Sequence, residues 1–166
     1  MGAKTAMTVE EYLHTAFDGL DKEYRDGEIV ERSLPDRLHS LTQLLLAAYF
    51  ISKRSQKLWA YPELRLKIRD RVYLIPDLCV FHPQDPKELV PATPPFIAIE
   101  ILSPDDRMSE ARAKLDEYRA WGVHHVWLLD PHQRRMYTCD AGLVEVAALS
   151  IPELGLEVTP ADVFGD

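Results

Sequence analysis

Glu100 interrupts the run Phe96-Ile97-Ala98-Ile99-Glu100-Ile101-Leu102, a β-branched, apolar stretch of the kind that forms a central strand covered on both faces. A carboxylate there must be paired, protonated or bound to a cation, because an unpaired buried charge costs several kcal/mol. The fold therefore has to bring a partner to it. A second acid is embedded in Val72-Tyr73-Leu74-Ile75-Pro76-Asp77-Leu78-Cys79-Val80-Phe81, which also reads as a strand, and Lys114 lies downstream on a predicted helix. Two acids and a lysine on adjacent elements point to a hydrolytic site built around a divalent metal.

The rest of the chain supplies a frame for such a site. Its 166 residues, 46% of them apolar, suit one domain with a sizeable core. Thr8-Val9-Glu10-Glu11 is a capping box opening a helix to about Phe17. Glu23-Tyr24-Arg25 and Glu28-Ile29-Val30-Glu31 flank Asp26-Gly27, the pair suited to a type I′ hairpin turn. From Asp36 to Lys57, Leu38, Leu41, Leu45, Ala48 and Ile51 recur at helical spacing. Strands are expected at Leu58 to Arg69 and Val72 to Phe81, then a proline-rich surface loop from Pro83 to Pro95 before the Glu100 strand. A helix from Asp105 to Trp121, with Ala111, Leu115 and Tyr118 as its core face, stops at Gly122. Strands follow at Val123 to Leu129, Arg135 to Cys139 and Val144 to Leu149, with a last turn at Ala161 to Phe164. The segment from Phe96 to Leu129 should be a right-handed parallel crossover.

These residues, taken together and in order, resemble a family. Thr8-Val9-Glu10-Glu11-Tyr12, Tyr24 with Asp26-Gly27-Glu28, Ile75-Pro76-Asp77, Ile99-Glu100-Ile101-Leu102-Ser103-Pro104, Lys114 through Tyr118, and Gly122-Val123 with Trp127 and Asp130 look like the Uma-two family of restriction-endonuclease-like proteins. The resemblance implies an α/β fold with the αβββαβ core of the PD-(D/E)XK nuclease superfamily, a mixed sheet flanked by helices in a single domain over 1–166. Pro76-Asp77 would be the PD element and Glu100 the second acid. Leu102 stands where the superfamily pattern has lysine, and Lys114 matches the displaced lysine of this family. The resemblance also places a histidine at His39, lining the site; a satisfied core histidine is the other reading of that residue.

Phosphodiester hydrolysis needs a metal that neutralises phosphate and lowers the pKa of a bound water, and Mg²⁺ or Mn²⁺ prefers hard oxygen ligands. Asp77, Glu100 and the backbone carbonyl of Ile101 are the expected ligands, the other reading being that Asp77 ends a ladder after a proline and Glu100 pairs with an arginine. Glu23 could be an accessory ligand, a solvated strand carboxylate being the commoner case. Lys114 would orient water or stabilise charge on the phosphate. Arg65, Lys67 and Arg69 alternate with Leu64, Leu66 and Ile68, so one strand face is basic and could meet DNA; a solvated half-buried strand has the same pattern. Lys53, Arg54 and Lys57 compensate the dipole at a helix end. His124 and His125, as strand neighbours, are expected to face opposite sides and not to share an ion.

The net charge of −8 argues against indiscriminate binding of nucleic acid. Cys79 and Cys139 make no disulfide framework, and no apolar run approaches a membrane span, so a cytoplasmic setting is expected. There is no P-loop, dinucleotide fingerprint or nucleophile elbow. The expected activity is a Mg²⁺- or Mn²⁺-dependent endonuclease acting on DNA, for which a homodimer would suit two-strand cleavage. The alternative is a catalytically inactive nuclease-fold module that binds nucleic acid or protein. A glycosidase using Asp77 and Glu100 would need sugar-stacking aromatics around a cleft, which Trp59, Tyr61 and Tyr73 do not by themselves make.

Overall fold

The computed structural model describes residues 6–165. Thr8 caps α1 (Val9–His14) through the reciprocal bonds of a capping box with Glu11, and the helix ends three residues before Phe17. Strands β1 (Glu23–Arg25) and β2 (Glu28–Val30) turn through Asp26 and Gly27 at φ of 52° and 101°, the paired positive values of a type I′ turn.

Asp36 caps α2 (Arg37–Ser52) by accepting the His39 N–H. The buried stripe of this helix is His39, Thr42, Leu46 and Phe50, not the expected Leu38, Leu41, Leu45, Ala48 and Ile51; Ile51 is 66% exposed. The run from Leu44 to Ile51 is apolar apart from the Tyr49 hydroxyl, so periodicity had no polar face to register against. The helix also stops at Ser52 rather than Lys57, and a 3-10 turn at Arg54–Gln56 follows.

Each of the two long expected strands is broken in two. The first becomes β3 (Trp59–Pro62) and β4 (Leu66–Arg69), the second β5 (Val72–Leu74) and β6 (Leu78–Phe81). Pro76 has no N–H for a ladder, and Glu63, whose N–H meets the Asp77 carbonyl at 3.3 Å, takes a positive φ of 51°. Both chains therefore change sheets at the same level. Strands β4 and β5 join the first hairpin in the order β2-β1-β5-β4. Strands β3 and β6 join β7 (Ile97–Ile101), β8 (His125–Asp130), β9 (Arg135–Thr138) and β10 (Val144–Val146) in the order β10-β9-β8-β7-β6-β3.

Helix α3 (Met108–Trp121) connects β7 to β8, which are parallel, and Gly122 ends it at φ 111°. The strand expected at Val144 to Leu149 divides into β10 and β11 (Leu149–Ile151). Strand β11 pairs with β12 (Leu156–Val158), an element the sequence reading lacked, before α4 (Pro160–Phe164). Ile97, Ile99 and Ile101 pack in one core with Leu46 and Phe50 of α2 and with Phe164. On the other sheet face Ala98 packs with Leu115 and Tyr118 of α3. Strand parity therefore turns Glu100 toward α3.

One expectation about histidines is overturned. His124 lies in a bend before β8, where strand alternation does not apply, and both imidazoles turn to the Glu153 carboxylate.

The α2 stripe makes a clear test. Phe50→Ala should cost about 3–5 kcal/mol in chemical denaturation, whereas Ile51→Ala should stay within about 0.5 kcal/mol.

Candidate active site

Asp77 follows the proline break and sits where β6 begins, beside the end of β7. Its Oδ2 accepts the Ile101 N–H at 2.7 Å, while its Oδ1 lies 3.3 Å from Arg32 Nη2 and 3.3 Å from His39 Nε2. Gln43, one turn after His39 on the same face of α2, donates to the Asp77 carbonyl at 2.9 Å. Burial works against ionisation of Asp77, but the His39 hydrogen bond and charge, Lys114 and the Ile101 N–H outweigh it and hold the pKa below the usual value. The same acid raises the pKa of His39 against the effect of burial.

Glu100 has the opposite environment. Its Oε1 accepts from Lys114 Nζ at 2.8 Å and from the Tyr118 hydroxyl at 2.8 Å, two α3 residues four apart. Lys114 also bonds Glu23 Oε1 at 2.6 Å and the Ile75 carbonyl at 3.1 Å, and Glu23 in turn accepts the Ile75 N–H at 2.8 Å. Burial pushes the Glu100 pKa up to about 8; Lys114 opposes this, while Asp77 and Glu23 add to it. Burial would lower the pKa of Lys114, but Glu100, Glu23 and Asp77 raise it, so the amine stays charged.

Glu23, Arg32, His39, Asp77, Glu100 and Lys114 line one open cavity of about 400 Å³. The structure thus brings together both predicted acids, the displaced lysine and both accessory residues. Arg32, which follows the first hairpin, escaped sequence reasoning because nothing local distinguishes it from a surface arginine. Gln43 had a usable signal in its spacing from His39. The basic ridge lies off the cavity wall: Leu66 and Ile68 are buried as alternation requires, while Arg65 pairs with Asp21, Lys67 with Asp70 and Arg69 with Glu117, which itself lines the cavity. None of the three basic residues lines the cavity.

Two carboxylates from neighbouring strands form a hard donor set that suits Mg²⁺ or Mn²⁺. Burial is the main reason the Glu100 pKa is raised, with Asp77 and Glu23 adding to it against Lys114, and a cation between the two acids would offset both effects. The residues therefore fit such an ion.

The model of the Uma2 family, described as "Putative restriction endonuclease", matches residues 9–165. The chain belongs to the Uma2 family. A crystal structure titled as a "putative nuclease belonging to DUF820" from Anabaena variabilis ATCC 29413 superposes with a TM-score of 0.80 at 23% identity, over 95% of this chain and 97% of that one. This likeness shows that the two chains share one fold, a mixed sheet flanked by helices, consistent with the restriction-endonuclease-like architecture that the family description points to. No curated protein matches the chain. Among the described residues no helix is long and apolar enough to cross a membrane. In this Uma2 chain the Leu102 position leaves no lysine on the Glu100 strand, and Lys114 reaches the same carboxylate from α3.

The raised Glu100 pKa has a definite sign. A carboxyl whose folded pKa lies above its unfolded value contributes stability below the unfolded pKa, near 4.5, and loses that contribution as pH rises through about 8. Glu100→Gln should therefore gain on the wild type between pH 5 and pH 9 by about 1–3 kcal/mol, measured by urea unfolding in chelator. An equal difference at both pH values would remove the claim.

Proposed function

We propose that this Uma2 chain is a Mg²⁺- or Mn²⁺-dependent endonuclease that hydrolyses DNA phosphodiester bonds in the cytoplasm. The observation that carries the reading is the meeting of Asp77, Glu100 and Lys114 in one open cavity, within a family described as "Putative restriction endonuclease". A cation held by Asp77, Glu100 and the Ile101 carbonyl would neutralise phosphate charge and lower the pKa of a bound water.

The protein's own groups then have separable roles. Lys114, fixed by Glu23 and the Ile75 carbonyl, orients water or meets charge developing on the phosphate without having to reorganise. Arg32 Nη1 is buried and has no hydrogen-bond partner among the described residues, so it is a ready donor to a phosphate oxygen. His39, with Lys114 and the Ile101 N–H, keeps Asp77 ionised against burial, and Arg32 helps orient its Oδ1. Pairing of two such sites in a homodimer would serve cleavage of both strands.

Asp77→Asn and Glu100→Gln should each lose Mn²⁺ binding at the cavity by calorimetry and lose nicking of supercoiled plasmid. Removing Lys114 alone would leave two buried acids unpaired, so the informative variant is Lys114→Met with Glu23→Gln. It should retain Mn²⁺ through Asp77 and Glu100, weakened only as far as Glu23 is an accessory ligand, but cut DNA at least 100-fold more slowly at saturating Mn²⁺. Unchanged cleavage in Asp77→Asn would sink the site. Wild-type protein that binds Mn²⁺ and DNA but cuts neither DNA nor RNA would establish the binding module instead.

Arg65, Lys67 and Arg69 are proposed as outlying phosphate contacts, and their own acidic partners limit what they can add. Changing all three to Gln should reduce the log–log salt slope of DNA binding by less than the roughly 0.9 expected per free contact, measured with Ca²⁺ at low ionic strength. An unchanged slope would make the ridge a solvated strand face.

A further inference from the structure

We propose that His124, His125 and Glu153 form a second metal site, for Zn²⁺ or a similar borderline divalent cation, which clips the C-terminal hairpin to the central sheet. His124 Nε2 lies 2.6 Å from Glu153 Oε1, and His125 Nε2 lies 3.2 Å and 3.1 Å from the two carboxylate oxygens. One ligand atom from each residue falls within 4.8 Å of the others. Zinc bonds of about 2.0–2.2 Å put tetrahedral ligands roughly 3.4 Å apart, so small side-chain adjustments close the site around an ion.

The surroundings are those of a supported ligand set. His125 is buried, and its Nδ1 faces Asp140 Oδ2 at 3.6 Å; the other oxygen of Asp140 accepts the Val126 N–H at 2.9 Å. A carboxylate behind a ring nitrogen directs the opposite nitrogen toward a metal and raises its basicity. Phe96 walls both imidazoles, stacking on His124 at 10° and meeting His125 edge-on at 89°. Three protein ligands leave a fourth position for water.

Chemistry and position separate this site from the acidic cavity. Two imidazoles with one carboxylate favour Zn²⁺ and its neighbours, whereas an all-oxygen set favours Mg²⁺ or Mn²⁺. Register pairs Ile97 with His125 and Glu100 with Leu128, so the histidines enter the sheet three residues before the level of Glu100, about 10 Å along the strands. Glu153 belongs to the 3-10 turn Pro152–Leu154 between β11 and β12. An ion here would join the start of β8 to that hairpin and displace the imidazole protons now shared with Glu153.

The test is titration of Zn²⁺ alone into full-length Asp77→Asn protein, in which the oxygen site is disabled, read by calorimetry and by thermal unfolding. One equivalent should bind and raise the Tm, and Co²⁺ in its place should give the visible absorption of a tetrahedral centre. His124→Ala, at an exposed position, should weaken binding at least tenfold, and Glu153→Gln similarly. Asp140→Asn should weaken it by about 10–100-fold. Zn²⁺ affinity unchanged in His124→Ala, or no Tm rise with Zn²⁺ in the Asp77→Asn parent, would overturn the proposal and leave a histidine–carboxylate strut.

Discussion

The ammonium of Lys114 is the charge around which the cavity is assembled. It meets Glu23 from the first hairpin, Glu100 from the central strand and the Ile75 carbonyl at the junction of β5 and β6. Each of these groups is costly to bury alone and tolerable only as a set, since removal of one partner leaves an uncompensated charge. The same junction is held from its other side: Glu23 takes the Ile75 N–H, and Asp77 takes the Ile101 N–H. Pro76 lies between these anchors, where the missing ladder hydrogen bond ends one strand and frees the next to enter a different sheet. The backbone break and the polar network thus depend on each other.

The two acids that result are chemically unequal although they face one cavity. Asp77 is surrounded by donors from α2, Arg32 and the backbone and stays ionised. Glu100 is bonded by Lys114 and Tyr118, but burial, and after it the nearby Asp77 and Glu23, hold its proton more firmly. One acid that stays ionised beside one that holds its proton more firmly is a pairing whose charge depends on what else enters the cavity. In a chain of net charge −8, the proposed nucleic-acid contact has to be local, and Arg32 and Lys114 are the better placed cations because they line the cavity and the ridge residues do not.

Much of this was legible in the chain. Glu100 could be recognised because an acid among β-branched residues has few physical explanations, and Asp77 because it follows a proline inside another apolar run. The capping box, the Asp-Gly hairpin and the Gly122 helix end depend on interactions within a few residues, so they appeared where local chemistry put them. The stripe of α2 did not, because a helix apolar on nearly every face can be rotated without changing its pattern. The splitting of two strands was signalled by Pro76, but its consequence, a change of sheet, required the partners supplied by β1 and β7.

The sequence by itself determined the residue types of the cavity and most of the elements that carry them, since propensity, capping and period are short-range properties. Only the tertiary structure decided which charges neutralise one another. It left Arg65, Lys67 and Arg69 off the cavity lining, paired with Asp21, Asp70 and Glu117, and it brought Arg32 in against Asp77 across 45 residues of chain. It also turned His124 and His125 to one carboxylate, because a bend before β8 suspends the alternation that a strand would impose. Electrostatic partnership is set by distance in space, and sequence spacing constrains that distance only within a single regular element.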